Sequence, residues 1–370
     1  MSYQPYLEQL KRLHAKHLGY PYNLRFDMRS VADALGLLIN NLGDPYIASN
    51  YASDSRKYEQ DVIDFFLELW EFSDAWGYVT SSGTEGNLAG ILYGKCSQPQ
   101  GHLVYSEAAH YSVPKAAIAY SLPSIRVATQ PSGEIDYNAL SEAIKRSGAK
   151  SLIMVSNISS TFSGAYDSAA MMLDAATSCG IAREHIYLHG DGALGGMILP
   201  FIEKVSAPYA ISGTLHDSVS ASGHKMPGSP IPCGVVVTKR EHMARFAKRI
   251  EYLNSVDSTL SGSRSGLAVI ALYDALIAKH TSYWPKTIRD CIDNAEGLTT
   301  TLRSNGVPAT RNLYSNTVVF PRPSEALVKE WQLACQGERA HAVVMPNNDQ
   351  RMLNIFAEQY CAEQLDCEVD

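Results

Sequence analysis

Leu7, Leu10 and Leu13 recur at three-residue spacing, so the chain is expected to open on a helix. His17-Leu18-Gly19-Tyr20-Pro21-Tyr22-Asn23 carries too many breakers to extend it and reads as loop. A second helix is predicted over Val31–Asn40, ended by Gly43-Asp44-Pro45, and a long amphipathic helix over Tyr58–Trp76. The pattern then changes. Short apolar runs at Gly77–Thr80, His102–Tyr105, Ile125–Ala128, Ser151–Val155, Ile186–His189, Tyr209–Thr214 and Gly234–Thr238 read as strands. Helix-length segments at Glu85–Tyr93, Ser112–Tyr120, Tyr137–Arg146 and Ser168–Cys179 separate most of them. Strands alternating with helices need crossover connections, which predicts an α/β fold with a mostly parallel central sheet.

Past residue 250 the texture differs. Ser265–Lys279 and Pro285–Ser304 read as helices, and Thr317–Phe320 as a strand stopped by Pro321. A helix over Ser324–Cys335, a strand over His341–Met345 and a last helix over Gln350–Gln364 complete a smaller α+β C-terminal domain. The expected division is an N-terminal helical segment over 1–50, a large α/β domain over 51–262 and the small domain over 263–370.

Composition narrows the function classes. The 370 residues are 45% apolar and 19% charged, as in ordinary folded proteins. A net charge of −7, with no Lys/Arg-rich stretch, excludes the footprint of a nucleic-acid binder and disfavours anionic membrane. No apolar run is long enough to span a bilayer, and Met1-Ser2-Tyr3-Gln4-Pro5 does not open like a signal peptide. The seven cysteines are scattered without a C-x-x-C pair, which points away from a disulfide framework or structural zinc and toward a cytoplasmic location.

Four segments carry candidate chemistry. Thr80-Ser81-Ser82-Gly83-Thr84-Glu85-Gly86-Asn87 follows a strand and opens a helix, the arrangement of a phosphate cradle and equally of a plain N-capping turn. His110 lies at a strand-to-helix junction, where an imidazole can stack on an aromatic ligand or simply cap the helix. Tyr187-Leu188-His189-Gly190-Asp191 ends a strand on a carboxylate, followed by the small residues Gly192 and Ala193. Ligands bind at that end of parallel strands, and a carboxylate there can pair with a protonated pyridine, or be an ordinary loop aspartate. Finally, Ser222-Gly223-His224-Lys225 places a lysine in a Ser/Gly/His loop beside prolines, unlike a surface lysine on a helix face. Once desolvated, such a lysine can form an imine.

Each signal is modest alone, but their order is specific. On these motifs, with Trp76-Gly77-Tyr78-Val79-Thr80, His110-Tyr111-Ser112-Val113, Gly262-Ser263-Arg264 and Ala340-His341, the chain resembles the fold-type I, group II pyridoxal-phosphate-dependent amino-acid decarboxylases. Within that group it resembles the short bacterial histidine decarboxylases and, a little less, the plant-type serine decarboxylases. The resemblance implies pyridoxal 5′-phosphate (PLP) as cofactor, held by Lys225 as a Schiff base. It implies that Ser82, Gly83, Thr84, Ser222 and His224 contact the phosphate, that His110 and Ala193 flank the ring, and that Asp191 pairs with the ring nitrogen. Thr161 matches a threonine near the phenolic oxygen, although Ser159 and Ser160 replace the usual Gly and Thr before it. His110 and Tyr252 are the candidates for protonating Cα, Tyr252 within a polar stretch that reads as a mobile loop up to Ser261; a packed tyrosine at a helix end is the alternative.

The implied reaction is decarboxylation of an L-amino acid, with histidine to histamine first, serine second, and a PLP aminotransferase as a further alternative. Ser315-Asn316-Thr317 and the Tyr20–Asn23 loop are candidate substrate contacts; Leu313 and Tyr314 depart from the histidine enzymes. The family also implies a homodimer with active sites at the interface, onto which residues 1–50 would pack.

Overall fold

The computed structural model describes residues 3–277 and 282–367. Helix α1 (Gln4–His14) buries none of its residues, and its Leu7 and Leu13 are exposed. Strand β1 (Asn40–Leu42) pairs antiparallel with Ser263–Ser265. Beside it, α2 (Arg56–Leu69) buries Val62, Ile63 and Phe66. Within this region the buried Glu59 carboxylate pairs with Arg264 and accepts from Asn41 and the Val79 N–H. The Gly262-Ser263-Arg264 motif therefore serves the scaffold.

Seven strands form the main sheet: β2 (Ala75–Thr80), β3 (His102–Ser106), β4 (Ser124–Val127), β5 (Leu152–Asn157), β6 (Ile186–Asp191), β7 (Ser218–Ser222) and β8 (Gly234–Lys239). Their spatial order is β2-β8-β7-β6-β5-β3-β4. All pairs from β7 to β4 are parallel; β8 runs antiparallel between β2 and β7. Central strands β5, β6 and β7, and the edge strand β2, are buried along their whole length, as expected where helices cover both faces. Register sets Asn157, Asp191 and Ser220 side by side across three neighbouring strands.

Helices α3 (Gly83–Ser97), α4 (Ser112–Ala119), α5 (Tyr137–Ser147) and α6 (Ala169–Ser178) connect these strands. Helix α3 presents Gly83, Gly86 and Gly90 to the sheet on one face. A Cβ at Gly83 would collide with Ser222 Oγ, and one at Gly90 with the His189 ring. Without those glycines α3 could not lie this close to β6 and β7.

Several expectations are corrected. Tyr209–Thr214 is not a strand: it follows a 3₁₀ turn at Ala207–Tyr209, and the strand lies later, at Ser218–Ser222. Three alternating serines read as loop, yet Ser218 and Ser220 bond inward to His189 and Asn87, so burial costs them little. Helix α2 stops at Leu69 rather than Trp76, because Glu71 and Asp74 take φ of 51° and 46° and turn the chain into β2. Over Val31–Asn40 the chain forms only a 3₁₀ helix, Arg29–Gly36, which buries Val31 but leaves Leu35 exposed, as are Leu37 and Leu38 after it. The expected loop of Tyr252–Ser261 contains a strand, Ser255–Asp257, hairpinned to Lys248–Ile250, and buries Ser255, Ser258 and Thr259. The Ser324–Cys335 helix is shorter, Glu325–Trp331, closed by Gln332 at φ 49°.

The C-terminal sheet is antiparallel, in the order Thr310–Arg311, Thr317–Pro321, Arg339–Val343, Ala334–Gln336. Its core gathers Phe320, Trp331, Phe356 and Tyr360 with Leu302 from helix Tyr283–Ser304. Helix Gly266–Leu276, grouped with the small domain by sequence, instead sends Val269 and Leu272 into the main-sheet core. The end expected for it, Lys279, lies outside the described residues.

Candidate active site

Beyond the C-terminal ends of β5, β6 and β7 lies a cavity of about 560 Å³. Its wall begins where β2 gives way to α3. Ser82 caps α3, its Oγ accepting from the Glu85 N–H at 3.3 Å. Glu85 turns away from the cavity, accepting from Tyr78 Oη at 3.0 Å and from the Ser81 N–H at 2.8 Å. No acidic group of the first turn then competes for the positive end of α3. The capping turn and the segment expected to cradle a phosphate are the same, and Ser82, Gly83 and Thr84 all line the cavity.

Asp191 ends β6 and is buried. One carboxylate oxygen accepts from Asn87 Nδ2 at 2.8 Å and the other from the Ala193 N–H at 3.2 Å. Asn87, on α3, also bonds Ser112 Oγ, His189 Nε2 and Ser220 Oγ at 2.7–3.0 Å. Ser112 Oγ in turn lies 2.8 Å from His110 Nδ1. Burial lowers the pKa of His110, and the Asp191 charge opposes that shift.

Lys225 follows β7 in a turn held from both sides. Its N–H donates to the Ser222 carbonyl, and its carbonyl accepts from the Asn23 N–H at 3.2 Å. Asn23 is fixed in turn by donating to the Met226 carbonyl. Burial lowers the Lys225 pKa, partly opposed by Asp191, so a larger share of its amine is neutral and nucleophilic. His224 donates Nδ1–H to the Cys233 carbonyl at 3.0 Å, and burial lowers its pKa as well.

The cavity brings together Ser82, Gly83, Thr84, His110, Thr161, Asp191, Ala193, Ser222, His224 and Lys225. Tyr252 is not among its lining residues; it sits in the Lys248–Asp257 hairpin turn, 81% exposed. Ser315, Asn316 and Thr317 do not line it either, being fully buried behind its wall, with Asn316 bonded to the Val344 carbonyl. Tyr22 and Asn23 do line it, whereas Leu313 and Tyr314 do not. Sequence reasoning missed the roles of Asn87 and Ser112. The available signal was spacing: Asn87 lies four residues after Gly83, one turn along the same helix.

The profile of the pyridoxal-dependent decarboxylase conserved domain matches residues 28–307. The chain belongs to that family. It is 43% identical to serine decarboxylase 1 of Oryza sativa subsp. japonica over 90% of this chain and 69% of the relative. It is 40% identical to the histidine decarboxylase of Morganella morganii over 88% of this chain and 86% of the relative. Among solved structures, L-methionine decarboxylase from Streptomyces sp. 590 superposes with a TM-score of 0.85 at 23% identity, covering 98% of this chain and 94% of that one. That likeness establishes the shared fold-type I architecture. The chain is thus a PLP-dependent amino-acid decarboxylase, and its cavity fits the cofactor. A helix N-terminus with Ser82, Gly83 and Thr84, a carboxylate at the strand ends, an imidazole and a desolvated lysine line one cavity, and these are the groups a phosphorylated pyridine aldehyde requires. Among the described residues no cluster suited to a metal ion occurs, and no helix is long and apolar enough to cross a membrane.

Proposed function

We propose that the preferred substrate is L-serine, released as ethanolamine and carbon dioxide, ahead of the L-histidine favoured by sequence motifs. The observation that carries this is similarity: three rice serine decarboxylases are 40–43% identical to this chain. L-histidine remains the second reading, because bacterial histidine decarboxylases at 37–40% identity are matched over 86% of their length.

Bound PLP supplies the electron sink that lets an α-amino acid lose its carboxylate. The chain does the rest. Lys225, whose buried amine has a lowered pKa, would hold the cofactor. Asp191, oriented by Asn87 and the Ala193 N–H, keeps the ring nitrogen protonated. Ser82, Gly83, Thr84, Ser222 and His224 would hold the phosphate, His110 and Ala193 would flank the ring, and Thr161 would lie near the phenolic oxygen. The proton returned to Cα would come from Tyr252 of a second subunit, or from His110 once its imidazole carries a proton on both nitrogens.

A homodimer is part of the same reading. Helix α1 leaves Tyr3, Tyr6 and Leu7 exposed, and Leu37, Leu38 and Ile118 are 66–82% exposed. Apolar side chains in this number are what a second subunit would cover. A cytosolic setting agrees with the six described cysteines, all of which are free thiols. The deciding experiment is carbon dioxide release from each of the twenty standard amino acids with PLP added. Serine is expected to show the highest kcat/KM; a higher value for histidine overturns the assignment. A stable, active monomer on sedimentation would refute the dimer.

A further inference from the structure

Asn87 is buried at the wall of the cavity, and its side chain is fully bonded within the protein. Its two amide protons go to Asp191 Oδ2 and Ser112 Oγ, each at 2.8 Å. Its carbonyl oxygen receives His189 Nε2 at 3.0 Å and Ser220 Oγ at 2.7 Å. Four bonds exhaust what an asparagine can make.

The direction of every bond follows from one charge. An ionised carboxylate only accepts, so the Asn87 NH₂ group must face Asp191; the flipped amide would set oxygen against oxygen. Ser112 Oγ then receives a proton from Asn87 and has its own O–H left to donate. Its partner at 2.8 Å is His110 Nδ1, which also lies 3.3 Å from the Ser112 backbone N–H. A nitrogen that accepts from two donors carries no proton. On the other side, Asn87 Oδ1 requires a proton on His189 Nε2, which leaves His189 Nδ1 to accept from Ser218 Oγ at 2.7 Å. His189 is buried and its pKa is lowered to about 4, in keeping with a neutral ring of one donor and one acceptor.

We propose that Asn87 is a positioning residue that uses the Asp191 carboxylate to fix, through Ser112, the Nε2–H tautomer of His110. The inference rests on the decarboxylase reading for its purpose but not for its test. Its consequence is chemical. With Nδ1 occupied, His110 offers a single N–H, at Nε2, to whatever lies in the cavity, and cannot take up a proton at Nδ1 without breaking the chain. The residue that pairs with the cofactor ring nitrogen and the residue that stacks on the ring are therefore set by the same amide.

Asn87→Asp tests this. Replacing the NH₂ by oxygen turns a donor to Ser112 into an acceptor. Ser112 then donates to the new carboxyl group, and His110 must supply a proton from Nδ1. The readout is the ¹⁵N spectrum of histidine-labelled holoenzyme, with His110 assigned by His110→Gln, followed across pH. In the wild-type enzyme His110 Nδ1 is expected in the unprotonated range and Nε2 in the protonated range. In Asn87→Asp the two are expected to exchange ranges. A folded Asn87→Asp protein with an unchanged His110 spectrum overturns the proposal. If that variant does not fold, Ser112→Ala decides: losing one of two donors should shift the Nδ1 signal toward the protonated range, and no shift overturns the proposal. A failed carbon dioxide assay would sink the functional assignment while leaving the tautomer measurement intact.

Discussion

The molecule has two cores built on opposite rules. Beneath the cavity, the space between α3 and the sheet is filled by serines, an asparagine and a histidine, each hydrogen-bonded, with glycines making the room. In the C-terminal domain the corresponding space is filled by Phe320, Trp331, Phe356 and Tyr360, packed tilted or edge-to-face at ring-centroid distances of 5.3–6.0 Å. The first core gives up apolar burial to hold donors and acceptors in fixed directions. The second is shaped mainly by volume, with Trp331 Nε1–H and Tyr360 O–H satisfied at its margin by Gln359 and the Pro321 carbonyl. Damage to the first should appear in activity before stability, and damage to the second in the reverse order.

A matched pair of substitutions breaks this comparison most directly. At about 3 Å and an effective dielectric near 20, the attraction between Asp191 and a protonated ring nitrogen is on the order of 5 kcal/mol. If that attraction acts on the reacting state, Asp191→Asn lowers kcat/KM by roughly 10³-fold, with little change in the denaturation midpoint. Phe356→Ala should cost about 3–5 kcal/mol of stability, read by urea denaturation, with kcat retained in whatever remains folded. Should Asp191→Asn unfold the protein, or Phe356→Ala abolish turnover in the folded fraction, the division of labour fails.

Acid sharpens the same contrast. His189 and His216 lie in the polar core, and burial lowers both pKa values to about 4 from the ordinary 6.5. Between those values the unfolded chain binds a proton at each histidine and the folded chain does not, so stability falls as pH drops through this window. Each should contribute a loss of up to about 3 kcal/mol. Equilibrium unfolding at pH 7.5, 6 and 5 measures it, and His189→Gln should remove one share. A midpoint independent of pH over that range refutes the account.

What was legible in the sequence follows the same divide. The apolar runs that became β2, β3, β5, β6 and β8 were plain, because strands buried on both faces carry continuous hydrophobic sequence. The cavity groups were legible because glycine, histidine, aspartate and lysine at element ends have few structural uses in that order. The polar core was not. Ser218–Ser222 reads as loop because its burial is satisfied by Asn87 and His189, which approach from other elements. Tyr252 shows the opposite limit: its polar surroundings made it a candidate, but within one chain its position on a hairpin turn keeps it outside the cavity.

The smallest effect concerns the cavity rim. Ser159 adopts φ 73°, the left-handed region where a side chain is strained, at a position where the resembled pattern has glycine. The following segment is held in place by Ser160, whose hydroxyl accepts from the Ala165 N–H at 3.0 Å, so the loop cannot easily relax to a negative φ. Strain of this kind costs roughly 1 kcal/mol, while glycine's extra freedom in the unfolded chain returns part of it. Ser159→Gly should therefore raise stability by up to about 0.5 kcal/mol, read as a small upward shift of the urea midpoint. Because Ser159 lines the cavity, the same variant should change the KM for substrate or PLP even as it stabilises the fold. A lowered midpoint would mean that the serine side chain is held by the polar core rather than merely tolerated at its edge.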